Sequence, residues 1–285
     1  MSSDQDIRVE RGEFEHAGHR LSRRSWVPAT ARGVIVLVHG VAEHSGRYEY
    51  VARTLAAAGF AVYAFDHVGH GESADAGTRA NIGSIDNAAD NVAALLAAAR
   101  TEHPGAPAFV VGHSMGALIT LYLATRAPLD VAGVVVSAPP LIIDAGNPAQ
   151  RLLAPVLTRL APNLGVLKLD SSQISRDPAV VAAYDNDALV FRGKLPARTA
   201  TEILTAAGAV LGRLPELRVP TLALHGTRDA IAAPASTDRI EQRAGTTDLT
   251  VRRYDGLYHE IFNEPERDQV LADVVTWLEA RVTGE

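Results

Sequence analysis

Hydrophobic and polar positions form two patterns that alternate along most of the chain. Some segments are short and almost continuously apolar, as strands covered on both faces are: 33–38, 60–65, 108–111 and 131–137. Others carry apolar residues three and four positions apart and therefore predict helices: 48–58, 86–100 and the segment after residue 114. Strand and helix in regular alternation predict a mainly parallel central sheet with helices on both faces.

The two ends of the chain extend this sheet. Residues 7–14 and 20–27 alternate polar and apolar positions around His16-Ala17-Gly18-His19, which predicts an antiparallel hairpin at a sheet edge. The C-terminal part predicts two more strands and two helices: strand 221–224, helix 236–244, strand 249–254, and helix 265–282 with Pro265 in its first turn.

The alternation breaks at Ala138-Pro139-Pro140 and resumes only at Val219-Pro220. The segment between them has apolar residues at helical spacing, further prolines and no convincing strand, so it predicts a helical cap. We therefore predict an α/β core formed by residues 1–139 and 214–285, with residues 140–213 inserted as a cap or lid. Ligands of such a sheet bind beyond the carboxyl ends of its strands.

A Gly-x-Ser-x-Gly motif joins a predicted strand to a predicted helix at Gly112–Gly116. In a nucleophile elbow the serine stands at the tip of this turn, and the glycines let strand and helix pass closely. The motif predicts Ser114 as a catalytic nucleophile. The alternative is a plain glycine-serine loop before a core helix.

A serine is a poor nucleophile at neutral pH unless a histidine takes its proton and an acid orients that histidine. Asp229 follows strand 221–224 in H-G-T-R-D, and His259 follows strand 249–254 in Y-D-G-L-Y-H-E. The order Ser, Asp, His is that of the α/β-hydrolases, so these two residues are the predicted acid and base. The alternatives are less suitably placed: Asp255 and Asp248 for the acid, and His225 and His113 for the base.

The tetrahedral intermediate of such a reaction also needs hydrogen-bond donors for its oxyanion. The backbone N–H of Met115 lies at a helix N-terminus directly after the nucleophile, and that of Val41 follows His39-Gly40 at the end of a strand. These two groups form the predicted oxyanion hole. His67 and His70 have a spacing that metal ligands can have, but their D-H-V-G-H-G-E-S context favours a structural turn, so no metal is predicted.

Composition excludes several classes of function. The chain has 285 residues, 47% of them hydrophobic, and a net charge of −6, which leaves no basic stripe for nucleic acid. The polar N-terminus and the absence of eighteen consecutive apolar residues predict neither a signal peptide nor a transmembrane segment. There is no cysteine, hence no disulfide and no thiol catalysis. We expect a soluble, cytoplasmic protein with a small-molecule substrate.

Several motifs resemble those of the monoacylglycerol lipases. They are H-G-V-A-E-H-S-G-R-Y at 39–48, G-H-G-E-S, G-H-S-M-G, S-A-P at 137–139, and the Asp and His loops, and they span nearly the whole chain. The cap segment 174–190 and Y-H-E-I-F-N-E-P-E-R are similar to those of bacterial members. The resemblance implies a cofactor-free serine hydrolase that releases a fatty acid and glycerol from a monoacylglycerol. Two positions depart from this pattern: Ala42, where glycine is usual, and Val68, where arginine is usual.

The resemblance also implies that Glu43, Arg47 and Tyr184 line a pocket for the glycerol end of the substrate. Alternatively, Glu43 and Arg47 pair with each other because they are four positions apart near a helix start. Tyr184 could equally anchor the cap.

The residues alone leave the substrate open, because this fold hosts many activities. A broader carboxylesterase, a lysophospholipase and a catalytically silent binding protein are the alternatives, and the oligomeric state is not predicted. One cap segment has more apolar residues than a single buried stripe needs, which predicts transient contact with lipid surfaces or, alternatively, a helix that roofs the pocket. Its apolar residues are Leu152, Leu153, Val156, Leu157 and Leu160.

Overall fold

The computed structural model describes residues 7–75, 77–143 and 158–282. Its strands are β1 (Ile7–His16), β2 (His19–Pro28), β3 (Gly33–Val38), β4 (Phe60–Phe65), β5 (Ala108–His113), β6 (Gly133–Ser137), β7 (Gly165–Leu167), β8 (Leu195–Pro196), β9 (Thr221–Gly226) and β10 (Leu249–Tyr254). Eight of them form one sheet in the order β1-β2-β4-β3-β5-β6-β9-β10. β2 is antiparallel to β1 and β4, and the other pairs are parallel.

Helices cover both faces of this sheet. The α-helices are α1 (Glu49–Ala57), α2 (Ile85–Glu102), α3 (Met115–Arg126), α4 (Pro178–Asn186), α5 (Ala197–Arg213), α6 (Ala235–Arg243) and α7 (Arg267–Val282). Alternate residues of β3 show why both faces are covered. Val34 and Val36 belong to a core with α2 and α3, whereas Ile35 and Leu37 belong to a core with α1 and α7. The predicted sheet is confirmed, and its strand order is that of the α/β-hydrolase fold.

The carboxyl ends of β3, β5, β9 and β10 lie along one edge of the sheet. Ser114 directly follows β5, and the loops after β9 and β10 carry Asp229 and His259. Residues far apart in the chain are therefore brought to one place, as expected of an open parallel sheet.

The segment between β6 and β9 differs from the prediction. β7 and β8 pair there as a separate antiparallel sheet, so the expectation of no strand was wrong. These strands have only three and two residues, too few for an alternating pattern to be visible in the sequence. Leu160 lies in a described helical turn, and the other predicted lipid-contacting residues lie outside the described residues: Leu152, Leu153, Val156 and Leu157.

The C-terminal helix starts at Arg267, two residues later than predicted. Pro265 lies in a turn before it, and Glu264 has extended backbone angles. The buried carboxylate of Glu264 accepts hydrogen bonds from the backbone of Tyr258 and from Arg176, which holds this turn outside the helix. Among the described helices, none combines the length and the apolar composition needed to cross a membrane.

Candidate active site

Ser114 stands on a sharp turn between β5 and α3. Its backbone has φ 53° and ψ −120°, a conformation that costs on the order of 1–3 kcal/mol and persists only where the surroundings enforce it. A Cβ on Gly112 would lie 2.4 Å from the carbonyl oxygen of Gly116, and one on Gly116 would lie 2.0 Å from that of Val38. Both glycines are therefore required by close approach of the backbone, as in a nucleophile elbow.

Ser114, His259 and Asp229 form a continuous hydrogen-bonded chain. The hydroxyl of Ser114 is 2.9 Å from Nε2 of His259, and Nδ1 of His259 is 2.7 Å from Oδ2 of Asp229. All three side chains are buried. The structure thus brings together the three residues predicted as nucleophile, base and acid, at distances suited to proton transfer.

The rival acids have other partners. Asp248 accepts hydrogen bonds from Arg281, and Asp255 accepts one from the hydroxyl of Thr227. In the described part of the chain, the carboxylate hydrogen-bonded to His259 is that of Asp229.

The rival bases also have other contacts. Nδ1 of His113 is 3.1 Å from the hydroxyl of Ser137, and its ring lies against that of His259. His225 contacts Asp229 rather than Ser114. Neither ring is therefore positioned as His259 is, with one nitrogen on the serine and the other on the acid.

The environment of Asp229 keeps it ionised. Burial alone would raise the pKa of this carboxyl, but the charge of His259 and hydrogen bonds from His225, His259 and Ala232 hold it well below its usual range. A permanently charged acid can stabilise the imidazolium that forms when His259 takes a proton from Ser114.

The two residues that carry the predicted oxyanion donors line the same cavity as Ser114. Val41 and Met115 both line it, and their backbone N–H groups have no hydrogen-bond acceptor among the described residues. The next residue, Ala42, has φ 66°, so the departure from glycine leaves a strained backbone in this loop. The methyl group of Ala42 is buried in a small apolar cluster with Leu195, which offsets part of this cost.

The cavity has a volume of about 120 Å³ and is lined by both apolar and polar side chains. Its apolar lining comes mainly from the inserted segment and the loops next to it: Ile143, Leu167, Leu169, Ile174, Ile203 and Ile231. Its polar lining includes His113 and a polar end formed by Glu43, Tyr184 and Glu260, which all contact Arg47. An apolar lining with a few convergent polar groups is typical of a site for an amphipathic ligand.

Two of the three predicted glycerol-end residues, Glu43 and Tyr184, line this cavity, whereas Arg47 is not among its lining residues. Arg47 lies behind the polar end, paired with Glu43 at 2.5 Å and with both oxygens of Glu260 at 2.7 Å. The guanidinium also lies over the ring of Tyr184, 4.7 Å from its centroid. The pairing of Glu43 with Arg47, one of the alternatives, is thus present.

Glu43 also holds the oxyanion loop. Its Oε1 accepts hydrogen bonds from the backbone N–H of Gly40 and from the hydroxyl of Tyr48, both at 2.6 Å. Burial would raise the pKa of Glu260, but Arg47 lowers it below the usual range; in return, the pKa of Arg47 is raised by Glu260 and Glu43 despite burial. Glu43, Arg47 and Glu260 therefore form a buried ion-paired network at the polar end of the cavity.

Sequence reasoning missed two residues at this site. Glu260 ties Arg47 to the cavity, and its position directly after His259 was the available signal. His225 was considered only as a rival base, but it contacts the acid.

The predicted structural turn at His67 and His70 contains a cluster of buried histidine rings. The ring centroid of His39 is 4.4 Å from that of His67 and 5.6 Å from that of His70. Burial lowers the pKa of His70 and of His113 to about 4, and it lowers those of His39 and His67 as well. In the described ranges, no group of three or more His, Asp or Glu side chains is arranged to hold a metal ion.

Acidification is expected to destabilise the fold through these histidines. In the unfolded chain they regain an ordinary pKa near 6.5, so below that pH the unfolded state binds protons that the folded state excludes. Stability should be greatest above about pH 6.5 and fall towards about pH 4, by up to about 1.4 kcal/mol per pH unit for each histidine. Urea unfolding at a series of pH values checks this.

The variant His70→Asn removes one of these titrating groups and should flatten the dependence by about one proton. A free energy of unfolding that stays constant between about pH 7 and about pH 5 would contradict the assignment of these histidines as neutral.

Comparison with known proteins agrees with this geometry. Residues 29–266 match the model of a hydrolase family described as serine aminopeptidase, S33. The chain belongs to this family. This S33-family chain is 40% identical to the monoacylglycerol lipase of Mycolicibacterium smegmatis over 92% of its length and 93% of that protein, and 34% identical to the human monoglyceride lipase over 93% and 88%.

A solved structure of the monoacylglycerol lipase from Paleococcus ferrophilus is also similar to this S33-family chain. The TM-score is 0.81 at 32% identity, over 92% of this chain and 99% of the other. The sequence resemblance and the observed fold therefore agree.

Proposed function

We propose that this protein hydrolyses the ester bond of monoacylglycerols to a free fatty acid and glycerol, through an acyl-enzyme on Ser114. The observation that carries the proposal is the Ser114–His259–Asp229 hydrogen-bonded chain, which lies at a cavity with a mainly apolar lining and a few polar side chains. The relatives named for this activity add support.

The chemistry follows from the positions of the three side chains. The hydroxyl oxygen of Ser114 attacks the ester carbonyl while His259 takes its proton, and Asp229 stabilises the resulting imidazolium. The N–H groups of Val41 and Met115 donate to the oxyanion. When the intermediate collapses, His259 returns the proton to the departing glycerol oxygen; water then attacks the acyl-serine with His259 again as base, and the fatty acid is released.

Initial rates on a monoacylglycerol, a diacylglycerol, a triacylglycerol and a lysophospholipid with the same acyl chain test the proposed substrate. We expect the monoacylglycerol to have the largest kcat/KM, because the cavity has an apolar lining for one acyl chain and its polar end includes the carboxylates of Glu43 and Glu260, which repel the phosphate of a lysophospholipid. A faster reaction with the lysophospholipid would support that alternative, and no turnover of any ester would indicate a silent binding protein.

We also propose that residues 140–213 act as a cap that holds the acyl chain. Leu167 and Leu169, both in this segment, line the same cavity as Ser114, and Leu167 is also 51% exposed. An acyl chain could therefore pass from the surface of the cap to the serine along apolar side chains. Separately, we propose that the protein is cytoplasmic.

Contact of this cap with lipid surfaces is supported by its exposed apolar side chains. Leu160 is 78% exposed, Leu164 49% and Val166 43%. These residues lie within seven positions of one another, and Val166 directly precedes Leu167, which lines the cavity. Exposed apolar side chains of this kind suit insertion into the surface of a vesicle or emulsion.

The variant Leu164→Glu should lower activity on vesicular monoacylglycerol by about tenfold, because burying a charge at a lipid surface is unfavourable. Activity on a water-soluble short-chain ester should be unchanged. Val9→Glu, at a similarly exposed position on the edge strand β1, is the matched control and should affect neither substrate. Equal losses on both substrates with Leu164→Glu would mean that this segment only roofs the cavity.

Of the three predicted residues, Tyr184 is the best placed to contact the glycerol end of the substrate, since it lines the cavity and its ring packs against the guanidinium of Arg47. Removing its hydroxyl should cost about 1 kcal/mol in kcat/KM for a monoacylglycerol, roughly fivefold, through the loss of one hydrogen bond. A p-nitrophenyl ester of the same chain has no glycerol and should be spared by Tyr184→Phe.

Glu43→Gln is the comparison for this test. Because Glu43 holds the oxyanion loop through Gly40 and also pairs with Arg47, its replacement should slow both esters alike and lower the melting temperature. If Tyr184→Phe also slowed both esters equally, Tyr184 would be an anchor of the cap rather than a glycerol contact.

A further inference from the structure

A second histidine contacts the proposed catalytic acid. His225, near the end of β9, is only 1% exposed, and its Nε2 is 3.1 Å from Oδ2 of Asp229 and 3.0 Å from the carbonyl oxygen of Ala232. Its Nδ1 is 2.7 Å from the hydroxyl of Thr237, at the start of α6. Both ring nitrogens thus have partners, and neither contacts the cavity.

These partners determine the tautomer of His225. Nε2 faces a carboxylate oxygen and a carbonyl oxygen, which can only accept, so Nε2 carries the hydrogen. Nδ1 then accepts from the hydroxyl of Thr237, which can donate. Thr237 therefore keeps the N–H of His225 directed at Asp229.

The carboxylate of Asp229 is fully occupied. Oδ1 accepts hydrogen bonds from the backbone N–H groups of Ile231 and Ala232, at 2.8 and 2.9 Å. Oδ2 accepts from Nδ1 of His259 and from Nε2 of His225. A carboxylate has about four acceptor positions, so each donor fixes one of them and none is spare.

We propose that His225 is a positioning residue for the reaction of Ser114: it shares Oδ2 of Asp229 with His259, fixes the rotation of the carboxylate and limits the charge that this oxygen presents to the base. His225 acts through Asp229 and does not touch the substrate. The inference rests on the proposed serine hydrolase mechanism but not on which ester is cleaved.

Replacing His225 by leucine removes this donor. The carboxylate is then free to turn, which should lower kcat by about 10- to 100-fold on a soluble p-nitrophenyl ester, with KM changed less than about twofold. One donor fewer on Oδ2 leaves more negative charge facing His259. The acid limb of the pH profile of kcat/KM should therefore move to higher pH, a shift that loss of packing alone would not produce.

Two further variants separate orientation from packing. His225→Gln keeps an N–H donor that can reach Asp229, so it should retain most of the wild-type rate and pH profile. Thr237→Val replaces a hydroxyl by a methyl group of about the same size, so Nδ1 of His225 loses the hydrogen bond that holds the ring with its N–H directed at Asp229. Its rate and acid limb should change in the same direction as those of His225→Leu.

Thr221→Val is the matched control. Thr221 is equally buried at the opposite end of β9, where its hydroxyl donates only to the carbonyl of Val219, and its replacement should leave the pH profile unchanged. If His225→Leu does not fold, as judged by its thermal unfolding, Thr237→Val carries the test.

The proposal is overturned if the acid limb stays in place in both His225→Leu and Thr237→Val, or if Thr221→Val moves it as far. An error in the proposed substrate would give a different result. A wild-type enzyme that cleaves the p-nitrophenyl ester but no monoacylglycerol would contradict the assignment of monoacylglycerol as substrate and leave the role of His225 intact.

Discussion

Replacing Ser114 by alanine is expected to lower ester hydrolysis by about 10⁴- to 10⁶-fold while leaving the fold intact. The hydroxyl of Ser114 is the group hydrogen-bonded to Nε2 of His259 at the cavity, and alanine has no nucleophile to offer. The melting temperature should stay within a few degrees of the wild type, since the change removes a single oxygen atom from a side chain that lines the cavity. Rates on a p-nitrophenyl ester and thermal unfolding measure both quantities.

The other two members of the hydrogen-bonded chain extend this prediction. His259→Ala should be nearly as severe as Ser114→Ala, and Asp229→Asn should also be severe because the imidazole loses its orientation. The losses should not add in double variants, because the three groups act as a unit. The assignment of the acid is wrong if Asp229→Asn keeps near-normal turnover and Asp255→Asn does not.

Gly116→Ala is expected to be the most destabilising small substitution in the elbow. A Cβ there would lie 2.0 Å from the carbonyl oxygen of Val38 and 2.7 Å from that of His39, distances that real side chains do not reach. Both contacts are with backbone, so α3 must move away from β3 or the variant must unfold. We expect a loss of about 3 kcal/mol or more in the free energy of unfolding, together with loss of activity.

Gly208→Ala, in the exposed middle of α5, is the control for this substitution. Apart from the neighbouring backbone of its own helix, no atom of the described residues lies within 4 Å of the position that its Cβ would occupy. The same change should therefore stabilise the protein by about 0.5–1 kcal/mol, since alanine is the better helix former. Urea unfolding of both variants decides the matter; a Gly116→Ala protein as stable as the wild type would mean that the elbow is looser than its geometry indicates.

Much of the fold could be predicted because its signals are local. β3, β4 and most of β5 are short, continuous apolar runs bounded by turn residues, which is typical of buried parallel strands. The elbow was also readable, because the glycines that let β5 and α3 pass lie within two positions of Ser114. Once the strand order is that of an open parallel sheet, the loops after β9 and β10 must meet Ser114, so Asp229 and His259 followed from position.

The features that were missed depend on contacts between distant parts of the chain. β7 and β8 are too short to show a period, and each exists only because the other lies beside it. Glu260 stands directly after His259, but nothing in the sequence indicates its pairing with Arg47, which spans 213 positions. No spacing rule predicts such a buried ion pair, because its geometry depends on how two separate loops are packed.

For the glycerol-end residues, the sequence indicated the position near the site but not the role of each side chain. Glu43 and Arg47 were predicted from a motif, but the structure gives both of them structural partners in addition to their place near the cavity. A motif identifies residues that a family retains, whereas it does not say whether they contact the ligand or support the residues that do. The variant Tyr184→Phe tests the two roles most clearly, because Tyr184 lines the cavity and the change removes only its hydroxyl group.

Labelling with a fluorophosphonate, with peptide mapping and competition by substrate, tests the central claim most directly. The account predicts one modified serine, Ser114, with labelling that slows as monoacylglycerol is raised through its KM and is little affected by triacylglycerol. Labelling of a different serine, or labelling of Ser114 that saturating monoacylglycerol does not slow, would contradict it.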